Sequence, residues 1–168
     1  IPSAAVLVMR IGPDAGGDTT WTNCCAAYEE LSGGMKALID GRKCLHDQGP
    51  EAKAVHPVVV AHPDTGRPIL FVNDIFSRGI MNLPPDESSA VLPFLIRHAS
   101  RPDFTYRHRW TEGDVVIWDN RSTQHYALFD FEGQRVVERV HVAGGPMEAY
   151  RLGEKVPGEG AADEGPWA

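Results

Sequence analysis

The residues best suited to chemistry lie near the C-terminal end of the sequence. Residues 118–126 include His125, and Arg135 and Arg139 follow closely. Imidazole is a common metal ligand, and arginine binds carboxylates or sulfonates through paired hydrogen bonds. Because side chains alternate along a strand, Arg135, Val137 and Arg139 would share one face. The two arginines would lie roughly 13 Å apart, too far to hold one small anion but suitable for two anions in one elongated pocket.

Neither the histidine nor the pair of arginines decides the function alone. A single histidine at the start of a strand is more often structural than metal-binding. Most surface arginines point to solvent and pair with nearby acids. The other face of the same strand carries Val136, Val140 and Val142, on either side of Glu138.

Short strands separated by polar turns must position these residues. The spacing predicts strands at 4–10, 56–62, 68–73, 104–110, 114–118, 124–129 and 135–142. Two short helices are expected between Cys24 and Gly41, and a longer helix with Asp86 as its N-cap should run to about Ser100 despite Pro93. This order favours a mainly β fold with helical inserts and antiparallel strands, a double-stranded β-helix (jelly roll, cupin-like).

Composition excludes several classes of protein. The net charge of −7 and pI near 5.4, with no basic cluster, argue against a nucleic-acid partner. No apolar run approaches the roughly 18 residues that a membrane span needs. The three cysteines, Cys24, Cys25 and Cys44, have neither zinc nor disulfide spacing. They indicate reduced structural thiols in a cytoplasmic protein.

Three segments together resemble a known enzyme family. Residues 118–121 with His125, Arg135 and Arg139 resemble the C-terminal motif of the taurine/aryloxyacetate (TauD/TfdA) dioxygenases. Residues 16–21 resemble that family's GGDT segment, and residues 56–73 resemble its hairpin. The order and approximate spacing hold from about residue 6 to residue 144, so the chain is identified as a member of this family of Fe(II)/2-oxoglutarate-dependent oxygenases.

The resemblance implies a role for individual positions. His125 would be the distal histidine of an iron-binding two-histidine, one-carboxylate triad. Thr19 and Arg135 would hold the far carboxylate of 2-oxoglutarate. Arg139 would bind the anionic end of the primary substrate or assist the co-substrate, and Phe76 would form an aromatic wall of the substrate pocket.

The implied function is an Fe(II)/2-oxoglutarate-dependent dioxygenase. It would use O2 to hydroxylate a small anionic substrate (a sulfonate, sulfate ester or carboxylate) and release succinate and CO2. Two alternatives remain open. One is a catalytically silent jelly-roll binding module that lost its iron site, and the other is a cupin-like enzyme that uses iron without 2-oxoglutarate. The cupin-like enzyme would not need Thr19 together with Arg135. The substrate and the oxidation outcome stay undetermined. Relatives commonly form homo-oligomers, although nothing in the sequence locates an interface.

The sequence departs from the family pattern in its iron ligands. The family's His-x-Asp pair is absent and is expected upstream of Ile1, so an N-terminal part of the domain is expected to be missing. His62-Pro63-Asp64 has the same spacing but lies in a hairpin turn. We therefore interpret it as structural.

The domain organisation follows from the same comparison. Residues 1–150 should form a single jelly-roll domain that is incomplete at its N-terminus. Residues 151–168, rich in Gly, Glu, Ala and Pro, should form a mobile tail. Residues 48–55 form a short, polar segment where the family has a longer covering segment, which predicts a lid that is reduced or missing.

Overall fold

The structure, a computed structural model, describes residues 1–47, 49 and 53–153. All strand pairings within them are antiparallel, as predicted. The strands are β1 (Ala4–Ile11), β2 (Thr19–Asn23), β3 (Lys43–Asp47), β4 (Lys53–Pro57), β5 (Val59–Ala61), β6 (Pro68–Leu70), β7 (Ser77–Ile80), β8 (Thr105–His108), β9 (Val115–Asp119), β10 (Thr123–Ala127), β11 (Val136–Val142) and β12 (Glu148–Ala149). The helices are α1 (Cys24–Glu29), α2 (Gly33–Ile39) and α3 (Pro85–Ala99).

Two of the four three-stranded sheets face each other and frame the candidate site. One sheet has the order β11-β1-β9 and the other has the order β10-β2-β8. Trp21 on β2 packs in one apolar cluster with Ala5 and Leu7 on β1 and Trp118 on β9. The inner faces of the two sheets therefore meet at a small aromatic core.

The outer face of the β11-β1-β9 sheet follows the predicted alternation. Val140 lies opposite Val6, and Glu138 lies opposite Val8. Val140, Ile117 and Val142 are all exposed. The prediction that the valines and Glu138 occupy one face of the last strand is confirmed by this register.

The helices cover the other two sheets, which have the orders β4-β3-β7 and β12-β5-β6. The main apolar core lies between them and includes Ile39 on α2, Leu95 on α3, and Val58 and Leu70 from the strand region. All four are fully buried, and burying each such side chain contributes on the order of 2 kcal/mol. This core supports the β5–β6 hairpin, which reaches towards the candidate site.

Helix α3 confirms the predicted length but corrects the predicted cap. Its N-cap is Pro84, which makes no side-chain cap hydrogen bond, and Asp86 lies inside the first turn. An acidic side chain there still interacts favourably with the positive end of the helix dipole. The Pro-Pro pair starts the helix because a first-turn proline loses no intrahelical hydrogen bond.

The prediction of one continuous strand at 56–62 is wrong. The chain bends at Val58, so that β4 pairs with β3 while β5 pairs with β6 in a different sheet. The backbone N–H of Val58 donates to Arg42 O, and its carbonyl accepts from Phe71 N–H, so one residue joins both sheets. Strands β2, β3, β7 and β12 were not predicted. Residues 48, 50–52 and 154–168, which include much of the predicted lid and tail, lie outside the described residues.

No helix in the described part of the chain is long and apolar enough to cross a membrane.

Candidate functional site

Thr19 and Arg135 meet at the beginning of β2. Arg135 donates from Nη2 to Thr19 Oγ1 at 3.2 Å and from Nε to the carbonyl oxygen of Gly17 at 2.9 Å. Trp110 donates from Nε1 to the same Thr19 Oγ1 at 2.9 Å. The structure thus brings together the two residues that the sequence predicted as one carboxylate site, and it adds a tryptophan.

Arg135 has no acidic partner among the residues that the structure describes. Burial lowers the pKa of its guanidinium, and no carboxylate counteracts that effect. A partly buried charge without a counter-ion is unfavourable. The cradle formed by Arg135 and Thr19 is therefore chemically suited to a carboxylate ligand.

The glycine pair before Thr19 allows this loop to approach its neighbours closely. Gly16 has φ +76°, and a Cβ there would lie 2.3 Å from the carbonyl oxygen of Asp130. The N–H of Gly17 donates to Asp130 Oδ1 at 2.9 Å. Only glycine adopts such a backbone conformation at that distance without strain. The loop position that presents Thr19 is consequently fixed by contacts with the segment that leads to Arg135.

Asp18 anchors the same loop to β8. It is buried and accepts a hydrogen bond from Arg107 Nε at 2.6 Å. Arg107 also lies 3.5 Å from a carboxylate oxygen of Asp130. Asp18 is thus occupied by a structural ion pair, which leaves Thr19 as the side chain of this loop that faces the cradle.

His125 lies on β10, directly opposite Trp21 on β2. The ring of Trp118 packs against it with 5.1 Å between centroids. Although His125 as a whole residue is exposed, its pKa is lowered, first by partial desolvation of the ring and then by the neighbouring Arg139 and His141. Because neutral imidazole is the form that binds a metal ion, this environment favours a ligand role.

Arg139 and His141 occupy the inner face of β11. Arg139 lies opposite Leu7 and His141 lies opposite Ala5, both inward-facing residues of β1. Neither has a hydrogen-bond or ion-pair partner among the described side chains. His125 is close enough to sense both groups electrostatically, and the Arg139 guanidinium gives this face a positive charge that no acid among the described residues pairs with.

The described residues of this chain offer one candidate metal ligand and no complete metal site. Within residues 1–47, 49 and 53–153, no group of three or more His, Cys, Asp or Glu side chains is placed to hold a metal ion. His125 nevertheless fits one ligand position, since neither ring nitrogen has a hydrogen-bond partner in the described region. The donor set here is one imidazole, and the remaining ligands would have to come from elsewhere.

His62-Pro63-Asp64 forms a structural turn. His62 Nδ1 accepts hydrogen bonds from the backbone N–H groups of Asp64 and Thr65, at 3.2 and 3.3 Å. The proton must therefore sit on Nε2, which donates to Asp119 Oδ2 at 2.9 Å. Arg121 bridges Asp119 and Asp64 through Nη2, at 2.6 and 2.7 Å. Both nitrogens of His62 are occupied, so its ring stabilises the turn that precedes β10.

This network holds Asp119 ionised. Burial alone would raise the pKa of Asp119, but the hydrogen bonds from Arg121 and His62 outweigh burial and lower it. Asp119 Oδ1 also accepts from the backbone N–H of Arg121 at 2.8 Å. The turn that delivers His125 to β10 is therefore built around a charged carboxylate.

Phe76 lies apart from these residues in the topology. It belongs to the turn before β7, in the β4-β3-β7 sheet. Its N–H donates to Asn73 Oδ1 at 2.8 Å, and its carbonyl accepts from the N–H of Asp47 at 2.9 Å. These contacts hold the turn and do not join Phe76 to His125 or Arg135.

Reasoning from the sequence missed two residues of the candidate site. Trp110 follows β8 and has no spacing relationship to Thr19, which lies 91 positions away. His141 could have been found, because it follows Arg139 by two positions and must share its strand face. Strand alternation carries that signal, whereas the Trp110 contact depends on the tertiary fold.

Comparison with known proteins identifies the family to which the chain belongs. The sequence matches the family described as "Taurine catabolism dioxygenase TauD, TfdA family" over residues 1–141. The chain belongs to this family. Its members are 2-oxoglutarate-dependent dioxygenases, which use iron(II) with 2-oxoglutarate as co-substrate.

Individual relatives support the same grouping. The chain is 36% identical to an alkylsulfatase from Acinetobacter baylyi, across 85% of this chain and 53% of that protein. It is 34% identical to an alpha-ketoglutarate-dependent sulfate ester dioxygenase from Pseudomonas putida, across 85% of this chain and 56% of that protein. The chain thus spans about half the length of the curated relatives that it matches.

A solved structure confirms the predicted jelly-roll fold. A taurine dioxygenase from Burkholderia xenovorans superimposes with a TM-score of 0.84 at 39% identity, covering 88% of this chain and 54% of that one. The mainly β architecture with helical inserts is therefore that of the family.

Proposed function

We propose that the protein containing this chain is an Fe(II)/2-oxoglutarate-dependent dioxygenase that hydroxylates a small anionic substrate and releases succinate and CO2. Family membership supports the reaction class. The observation that carries the proposal is the cradle of Arg135 and Thr19, a partly buried cationic site without an acidic partner in the described chain.

The cradle suits the far carboxylate of 2-oxoglutarate. Arg135 retains N–H groups beyond those bonded to Gly17 and Thr19. A carboxylate there would accept charge-assisted hydrogen bonds and supply the negative charge that the guanidinium lacks. The two fixed contacts of Arg135 hold its planar group in one orientation, so little side-chain entropy would be lost on binding.

His125 is the residue of this chain that would hold iron. The other ligands would come from residues outside the chain, where a His-x-Asp pair is expected. Bound iron supplies oxygen activation coupled to the oxidative decarboxylation of 2-oxoglutarate. The chain's own contribution is to keep His125 neutral and oriented, through packing against Trp118 and the turn built on Asp119.

Arg139, with His141 beside it, is our proposed contact for the anionic end of the primary substrate. Both face inward without an acidic partner among the described residues. Relatives named as sulfate ester, sulfonate and (S)-phenoxypropionate dioxygenases support a sulfate ester, sulfonate or carboxylate as the substrate class. Phe76 remains a proposed wall of that pocket.

We also propose that residues 1–150 act as one domain and that the protein is cytoplasmic. Cys24, Cys25 and Cys44 are buried free thiols, as predicted. Burial raises the pKa of Cys24 to about 12, which keeps the thiol protonated and unreactive. Unpaired thiols are typical of a reducing compartment.

The test is binding of the co-substrate to the full-length protein. Iron(II) and 2-oxoglutarate are added anaerobically, and the visible charge-transfer band of the chelate is titrated. We expect His125→Ala to abolish the band and Arg135→Ala to weaken 2-oxoglutarate binding by about 10- to 100-fold. Arg67→Ala, which removes an exposed arginine paired with Glu29, should leave binding unchanged.

The opposite result would identify the alternative function. A folded, iron-supplied wild-type protein without the band would contradict the dioxygenase proposal. Retention of 2-oxoglutarate by such a protein would then indicate the silent binding module.

A further inference from the structure

We propose that Trp110 is a positioning residue whose indole N–H orients the Thr19 hydroxyl towards the far carboxylate of 2-oxoglutarate. This inference rests on the proposed function, since it assigns a further residue to the same cradle. Trp110 does not itself touch the co-substrate in this arrangement. It acts by deciding where the single proton of Thr19 points.

The hydrogen-bond count at Thr19 carries the argument. A hydroxyl has one proton to donate and two lone pairs that accept. Trp110 Nε1 and Arg135 Nη2 can only donate, and both contact Thr19 Oγ1, at 2.9 and 3.2 Å. Both lone pairs are therefore occupied, and the hydroxyl proton must point away from the two donors.

That proton has no acceptor within the described part of the chain. Thr19 is only 2% exposed, so bulk water has little access to it. A buried donor without an acceptor is costly, whereas a ligand oxygen placed there restores the hydrogen bond. The Thr19 O–H and the spare N–H groups of Arg135 then form a set of donors suited to a carboxylate and unsuited to a methyl group.

The ring of Trp110 is itself held firmly. It meets His108 edge to face, with 4.6 Å between centroids and an interplanar angle of 85°. It meets Trp21 at 6.0 Å and 62°. His108 is in turn fixed by Asp114, with 3.1 Å between Nε2 and Oδ2. An indole fixed on two sides gives its N–H one direction, which is the requirement for preorganising a partner.

The experiment compares two keto acids on the full-length protein. Anaerobic titrations with iron(II) give dissociation constants for 2-oxoglutarate and for 2-oxopentanoate, in which a methyl group replaces the far carboxylate. We expect Trp110→Phe to lower the preference for 2-oxoglutarate over 2-oxopentanoate by about 3- to 10-fold. A purely structural role would weaken both ligands equally and leave that preference unchanged.

Trp21→Phe is the matched control. Trp21 belongs to the same aromatic cluster, but its Nε1 is buried without a hydrogen-bond partner among the described residues. Phenylalanine keeps an aromatic ring against Trp110 and removes only this unbonded indole N–H, so the preference should stay at the wild-type value. An equal fall in both tryptophan variants would overturn the inference. In a Thr19→Val background, Trp110→Phe should cause no further fall.

Arg135→Ala separates failure of the inference from failure of the proposed function. If Arg135→Ala lowers the preference and Trp110→Phe does not, Trp110 has no positioning role, and the carboxylate site stands. If Arg135→Ala leaves the preference unchanged, the proposed carboxylate site is wrong, and the inference falls with it.

A second measurement detects the hydrogen bond between Trp110 and Thr19 directly, without a substitution at Trp110. In protein labelled with ¹⁵N at its indoles, Thr19→Val should move one indole N–H resonance upfield and increase its hydrogen exchange. Thr19→Ser, which keeps the acceptor, should restore both values. Indole resonances that are unchanged by Thr19→Val would overturn the inference.

Discussion

His62 donates a hydrogen bond from Nε2 to Oδ2 of Asp119 at 2.9 Å, and this contact joins the β5–β6 hairpin to the turn before β10. The turn leads within six residues to His125. The hairpin histidine thus supports the candidate metal ligand through the backbone, while both of its own ring nitrogens are hydrogen-bonded within the protein.

Removal of the His62 ring should destabilise the fold. His62→Ala breaks the contact with Asp119 and leaves the N–H groups of Asp64 and Thr65 without their acceptor. We expect a loss of about 1–3 kcal/mol in the free energy of unfolding, measured in urea. Asp64→Ala, which removes an exposed partner of Arg121, should cost less than about 1 kcal/mol. Equal losses in the two variants would contradict the assigned role of His62.

Stability should fall as the pH drops through the range set by His46. His46 is buried, and its pKa is lowered to about 4, first by burial and then by the nearby His56. Between about pH 6.5 and 4 the unfolded chain binds a proton that the folded chain excludes. The contribution of neutral His46 to the free energy of unfolding is therefore fully present above about pH 6.5 and is lost as the pH falls towards 4.

The measurement is the free energy of unfolding at several pH values. His46 alone can contribute a slope of up to about 1.4 kcal/mol per pH unit in this window. His46→Gln should reduce the slope, while His56 accounts for part of what remains because burial lowers its pKa as well. Parallel wild-type and His46→Gln curves would rule out this explanation.

Gly16→Ala should disturb the loop that presents Thr19. The added methyl group would lie 2.3 Å from the carbonyl oxygen of Asp130, at a residue with φ +76°. We expect a loss of about 1–3 kcal/mol, seen as a lower melting temperature, together with weaker 2-oxoglutarate binding. Gly33→Ala is the control, because nothing lies within 4 Å of its added methyl group and it begins helix α2. A melting temperature for Gly16→Ala equal to that of Gly33→Ala would show that the close approach is not required.

Arg139→Ala should affect the primary substrate more than the co-substrate. Loss of a charge-assisted contact predicts a KM for an anionic substrate that rises about 10- to 100-fold. Binding of 2-oxoglutarate should change far less. Arg10→Ala is matched to it, because Arg10 lies on the same sheet but pairs with Glu138 on the outer face. An unchanged KM with Arg139→Ala would remove Arg139 from the substrate site.

The sequence predicted those parts of the site that local patterns encode. Strand alternation placed Arg139 on the opposite face from Val140, and the register with β1 agrees. The hairpin turn at residues 63–67 was also recognisable from its residue types. Both features depend on neighbours in the sequence, so a pattern of a few residues is enough.

The remaining features depend on contacts between distant segments. The bend at Val58 arises because β3 and β6 each take one part of an apolar run that looks continuous in the sequence. The contact between Trp110 and Thr19 joins β2 to the segment after β8, and no local spacing predicts it. Tertiary pairing decides such features, and propensity is only a weak guide to them.

The wide separation of the cradle residues has a consequence for biosynthesis. Thr19 and Gly17 are made well before their partner Arg135, which lies 116 and 118 positions later. Strand β1 likewise pairs with β11, as in Ala4 with Val142. Contacts of such long range form slowly and only after the intervening chain exists. A nascent chain that ends before Arg135 therefore lacks the proposed carboxylate cradle, which can form only after Arg135 has been made.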